Sequence, residues 1–170
     1  MNEKYTFDLE FARNRLKLIL VKSDLELRNH VVLKLMAYML FFDPRLKIEA
    51  GVDMHYRPDL VIPGDHGIPE LWIDCGKVAV RKVESLTSKL KTTRIIIVKE
   101  TLGELNQFRR LVDKKIEHAD RLQYLAFEPN FVASVAGAMA KTNELTLYDV
   151  MDQVIGVALN GEVFETTLYR

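Results

Sequence analysis

The sequence predicts a single α/β domain, a mixed central β-sheet flanked by helices, and three observations carry that reading. Apolar residues alternate with a period of two across residues 5–11, with a further strand-like run at 16–21. Stripes of helical period at positions 80, 83, 86 and 90, then at 105, 108, 112 and 116, are interleaved with short apolar runs at 94–98 and 122–127. No internal repeat, low-complexity tract or linker divides the 170 residues, a length that suits one core. Residues 1–170 are therefore expected to fold as one domain.

Tyr5, Phe7, Leu9 and Phe11 alternate with polar neighbours, and Leu16 to Val21 follows the charged turn Arg13 to Arg15, so the opening segment reads as a hairpin. Ser23-Asp24-Leu25-Glu26 has the S-x-x-E pattern in which serine and glutamate satisfy each other's backbone N–H groups. It predicts a helix from there to about Phe42, ended by Asp43-Pro44, because proline drives the preceding residue out of the helical region. Leu46 to Glu49 reads as a short strand. Asp59 to Ile62 is a clearer one, closed by the turn-rich run Pro63 to Gly67, and Leu71 to Cys75 returns antiparallel beside it. Arg94 to Val98 contains four consecutive apolar residues, which suits a strand buried on both faces. Beyond the stripe at 105–116 come a strand at Leu122 to Phe127 and a helix at Phe131 to Met139. Leu145 to Leu168 reads as two terminal strands around Asn160-Gly161.

Composition excludes several classes. Hydrophobic residues make up 48% and charged residues 28%, the balance of a folded water-soluble domain. The longest apolar stretch, Val31 to Phe42, is interrupted by Lys34 and falls short of the ~18 residues of a membrane span. The first residues lack a basic start followed by an apolar block, so no signal peptide is expected. Cys75 is the one cysteine, which rules out an internal disulfide. The expectation is a cytoplasmic protein. Its net charge is zero, yet the charge is unevenly spread. Residues 75–99 carry seven Lys and Arg (Lys77 through Lys99) against Glu84 alone. Such a segment is either a solvated helix face or a phosphate-facing stripe, and the second would make nucleic acid a partner.

Asp59 opens one predicted strand and Asp74 ends the one that returns beside it, so the hairpin brings two carboxylates to one edge of a sheet. Paired carboxylates can hold a hard divalent cation such as Mg²⁺. The cation can generate a hydroxide nucleophile and neutralise a phosphodiester under attack, with Lys77 or Arg81 complementing the charge on phosphorus. Most such pairs, judged by spacing alone, are solvent-exposed strand ends. No glycine-rich phosphate loop or nucleophile elbow is present, and of the four histidines His55 lies nearest the hairpin.

The block Arg57-Pro58-Asp59-Leu60 followed by Glu70-Leu71-Trp72-Ile73-Asp74-Cys75-Gly76-Lys77 resembles the two-part signature of the YaeQ family, PDL…ELWIEVG. Ser23 to Phe41 is similar to that family's first helix, with a glutamate near its start, and the match spans about residues 22–99. The resemblance implies a restriction-endonuclease-like core of the PD-(D/E)xK kind. In that superfamily a helix glutamate and two further acids bind Mg²⁺ while a lysine assists phosphodiester hydrolysis. On this chain the implied metal ligands are Glu26, Asp59 and Asp74, with Lys77 as the catalytic cation. Asp74 stands where relatives usually show glutamate. The superfamily's lysine lies two residues after the second acid, and that position is Gly76 here. Lys77 would point to the opposite face of a regular strand, so a bulge, or a cation from Arg81 or Lys82, would have to replace it. Three functions follow as expectations, the first of them preferred: a Mg²⁺-dependent nuclease or phosphodiesterase, a catalytically silent relative that binds nucleic acid through 77–99, or a protein-interaction module.

Overall fold

The alternating opening segment folds as the hairpin it predicts. In the computed structural model, which describes residues 1–170, β1 (Glu3–Phe11) and β2 (Asn14–Lys22) pair antiparallel, with Tyr5, Phe7, Leu9 and Phe11 all buried. The alternation exists because only one face of this hairpin meets the core.

α1 (Arg28–Leu40) begins later than the sequence predicts. Ser23 to Glu26 closes a local turn instead, in which Glu26 Oε2 accepts the Ser23 N–H at 3.2 Å, and Leu27 is the extended residue before the helix. Half of the expected capping arrangement is thus present, one turn away from the helix it was expected to cap. α1 lies between two sheets and buries eight of its 13 residues, Lys34 among them.

β3 (Lys47–Ile48), β4 (Leu60–Ile62), β5 (Leu71–Cys75), β6 (Arg94–Val98) and β7 (Leu122–Leu125) form one five-stranded sheet in that order. β3, β4 and β5 are antiparallel, whereas β5, β6 and β7 are parallel. The parallel strands are linked by α2 (Val80–Lys89) and α3 (Leu102–Lys115), as crossover connections require. After α4 (Phe131–Ala138), the chain enters β8 (Thr142–Met151), β9 (Val154–Leu159) and β10 (Glu162–Thr167). These complete a second sheet of order β10-β9-β8-β1-β2, with β8 parallel to β1. The single central sheet of the sequence reading is therefore two mixed sheets. Three terminal strands replace the expected two, because the turn at Asp152-Gln153 carries no glycine signal; Gln153 itself adopts the left-handed conformation (φ 59°).

Two cores result. The larger joins the inner face of the β8–β10 sheet, α1 and α4 to Leu60, Ile73, Cys75, Ile96 and Val98 on one face of the β3–β7 sheet. The smaller packs Val83, Leu86, Phe108 and Val112 of α2 and α3 on Trp72, Ile95 and Ile97 of the other face. Successive residues of β5 and β6 thus serve different cores, which is why those strands read as unbroken apolar runs.

Candidate functional site

The carboxyl ends of β5 and β6 open onto a cleft of about 850 Å³ between the start of α1 and α3. Ligands in open α/β sheets bind at this edge. Gly76 follows β5 with φ 77°, a left-handed conformation that suits glycine, and packs beside the His30 ring. Glu26, His30, Lys77 and Lys99 reach the cleft from three different elements, with Arg110 and Lys114 on α3 opposite.

A chain of alternating charge runs behind its wall. Glu26, His30 and Lys34 are spaced by four residues and share one face of α1 and its approach. Glu26 Oε1 lies 2.6 Å from both His30 Nδ1 and Lys34 Nζ, within ion-pair distance but away from well-formed hydrogen-bond directions. Lys34, fully buried, also donates to Glu49 at 2.7 Å, and His30 Nε2 sits 3.3 Å from Asp59 Oδ2. Burial opposes the charges of Glu26, His30 and Lys34, and the neighbouring opposite charges outweigh it. His30 is held up at about 9 by Asp59 and Glu26 against the pull of desolvation. Glu26 is held down at about 2 by His30 and Lys34 against the same effect. Lys34 is likewise raised, by Glu26 and Glu49. At neutral pH His30 is therefore an imidazolium.

The predicted site residues divide between the two faces of the sheet. Asp59 stands beside β5: its N–H donates to Ile73 O, and its Oδ2 accepts the Cys75 N–H at 2.7 Å. Asp74 points the other way, toward α2, where Trp72 Nε1 and Lys82 Nζ each donate to it at 2.9 Å. Burial raises the Asp74 carboxyl, with Lys82 acting against that shift. Glu26 and Lys77 line the cleft, whereas Asp59 and Asp74 do not. Lys82, from the helix after β5, is the cation that meets Asp74, while Lys77 is exposed beyond the strand end.

The fit of this set to Mg²⁺ can be judged from the donors. Mg²⁺ needs near-octahedral oxygens and is commonly held by one or two free carboxylates. Lys82 reaches both oxygens of Asp74, Glu26 Oε1 lies between two cations while its Oε2 accepts the Ser23 N–H, and Asp59 keeps one oxygen, Oδ1, that accepts no hydrogen bond from the protein. No three His, Cys, Asp or Glu side chains are grouped to hold a metal. As arranged, Glu26, Asp59 and Asp74 do not fit one shared cation.

The model of the family described as YaeQ protein matches residues 13–168. The chain belongs to the YaeQ family. The YaeQ protein of Xanthomonas axonopodis pv. citri has a similar crystal structure, with a TM-score of 0.79 at 15% identity over 98% of this chain and 95% of that one. The YaeQ protein of Pseudomonas syringae gives 0.74 at 14% identity, over 98% and 93%. The mixed α/β fold is thus the YaeQ fold. No curated protein matches the chain.

Within this YaeQ fold the basic segment 77–99 is dispersed. Lys82 is bound to Asp74, Lys99 is buried, and Arg94 sits at the far end of β6, roughly 16 Å of extended strand from Lys99. His55 is exposed and meets Tyr56 edge to face; it is His30 that meets the carboxylates. The four-residue spacing of Glu26, His30 and Lys34 was the available signal for it. Lys99 was legible only as one member of the basic segment, with nothing to mark it as buried. No helix is long and apolar enough to cross a membrane.

Proposed function

We propose that this YaeQ-family chain is a nucleic-acid-binding module of nuclease-like fold, which takes a nucleotide or strand end into the cleft between α1 and α3. The observation that carries the reading is the charge of that cleft. His30, Lys77, Lys99, Arg110 and Lys114 are five cations against Glu26, Glu100 and Glu104. Glu26 is already neutralised by His30 and Lys34, and Glu100 accepts from Asn29 Nδ2 at 2.8 Å. Leu25, Leu27 and Leu111, all exposed, add apolar surface on which a base can rest. A cleft of about 850 Å³ encloses a ligand of nucleotide size, not a duplex. The nuclease reading needs converging carboxylates, and the separation of Asp74 from Glu26 speaks for binding without metal-dependent cleavage.

Fluorescence anisotropy with labelled single-stranded DNA and RNA across a salt series tests it. Binding should weaken with salt and persist in EDTA. Lys77→Ala or Lys114→Ala should flatten the log–log salt slope by roughly one unit, since each removes about one phosphate contact. Lys89→Ala, on the end of α2 away from the cleft, should leave the slope unchanged. No binding of either nucleic acid overturns the proposal. Calorimetric Mg²⁺ binding that disappears in Asp59→Asn/Asp74→Asn, together with metal-dependent cleavage, would instead establish the nuclease.

A further inference from the structure

Lys99 is the one buried charged side chain in the cleft, and the fold leaves it without a counter-ion in contact. It follows β6, its residue is only 7% exposed, and it lines the cleft floor. Its Nζ donates to Gly76 O at 2.6 Å and lies 4.2 Å from the centroid of the Phe108 ring. Gly76 and Phe108 line the same cleft, so the ammonium sits at its wall. The acids that attract it are Glu104 on α3 and Asp74 on β5, and neither is in ion-pair contact. Lys34, the other buried lysine, is by contrast clamped by two carboxylates.

Burying an ammonium is costly unless it is paired and hydrogen-bonded. One carbonyl and one ring face satisfy part of it. An ammonium carries three N–H donors, so those left over can serve an anion that enters from the cleft. Because the residue is nine-tenths buried, such an anion has to be the tip of a ligand; an internal phosphodiester would need its chain to continue in both directions past the floor.

We infer that Lys99 is the anchor for a terminal phosphate, and that the cleft therefore prefers a phosphorylated strand end or a nucleotide over an internal phosphodiester. The inference rests on the reading of the cleft as a nucleic-acid site and names the group recognised there. Burial also lowers the basicity of Lys99, as expected of an ammonium awaiting an anion.

The test compares oligonucleotides of one sequence that end in 5′-phosphate, 3′-phosphate or hydroxyl, with inorganic phosphate as competitor, on wild type and Lys99→Met. Methionine keeps a flexible, unbranched side chain of similar length and removes the charge. One phosphorylated end should bind roughly tenfold or more tightly than the hydroxyl end, as one charge-assisted hydrogen bond implies. Lys99→Met should erase that difference and the competition by inorganic phosphate, so that the three ends bind the variant equally. Equal binding of all three ends by wild type overturns the inference and leaves the nucleic-acid reading standing. A preference that survives in Lys99→Met overturns it as well. Thermal stabilisation of wild type, not of Lys99→Met, by inorganic phosphate without binding of any oligonucleotide would support the anchor and overturn the nucleic-acid reading. Should Lys99→Met fail to fold, the comparison of ends on wild type still decides.

Discussion

Replacing His30 by glutamine tests the charge chain behind the cleft. Glutamine keeps a polar side chain but cannot carry the imidazolium between Glu26 and Asp59. Because His30 is held at about 9 in the fold, above its ordinary 6.5, its contribution is fully present below pH 6.5 and is lost as pH rises through 9. A shift of that size corresponds to roughly 3 kcal/mol at 1.36 kcal/mol per unit. The side chain is 29% exposed, and solvent screening brings the expected figure to about 2 kcal/mol. Trp72, the single tryptophan and fully buried, reports unfolding by fluorescence. In urea titrations, His30→Gln should be about 2 kcal/mol less stable than wild type at pH 6, and the two should converge by pH 9.5. The raised Cys75 thiol also titrates in the alkaline range, but it is common to both proteins and cancels in the difference. A deficit of equal size at both pH values would refute the reasoning, since it would mean that His30 acts by packing and not by charge.

Lys34→Met should cost about 2–3 kcal/mol, because it takes one of two cations from the mostly buried Glu26 and leaves the half-exposed Glu49 to water. Adding Glu49→Gln should recover part of that loss, read as the shift of the urea midpoint. A single mutant as stable as wild type would show that these ion pairs contribute nothing net. Gly76→Ala should cost about 1–2 kcal/mol from the left-handed backbone alone, as the new methyl meets His30 Cδ2 only at an ordinary 3.5 Å. Its stability deficit should be the same at pH 6 and 9.5, in contrast to that of His30→Gln.

The elements differ in how far they could be read from the chain. β1 and β2 were legible because one buried face imposes strict alternation, and β6 because parallel strands bury both faces. The start of α1 was not, because Ser23 and Glu26 carry a local capping signal whose glutamate is drawn onto His30 and Lys34. The Asp152-Gln153 turn was hidden because a non-glycine residue adopts the left-handed conformation there.

The site divides in the same way. The sequence by itself determined the α/β class, the family and the adjacency of Asp59 to the end of β5, since each follows from local pattern and from a hairpin of short span. Only the tertiary structure decided that Asp74 turns toward Lys82 and Trp72, that His30 lies between Glu26 and Asp59, and that Lys99 is buried without a counter-ion. The reason is physical. Which face of β5 a carboxylate occupies follows from the period of the strand, but what waits on that face is set by helices that arrive from elsewhere in the chain. A charge takes its meaning from that company: two buried lysines, alike in sequence, are a closed ion pair at Lys34 and an unpaired ammonium at Lys99.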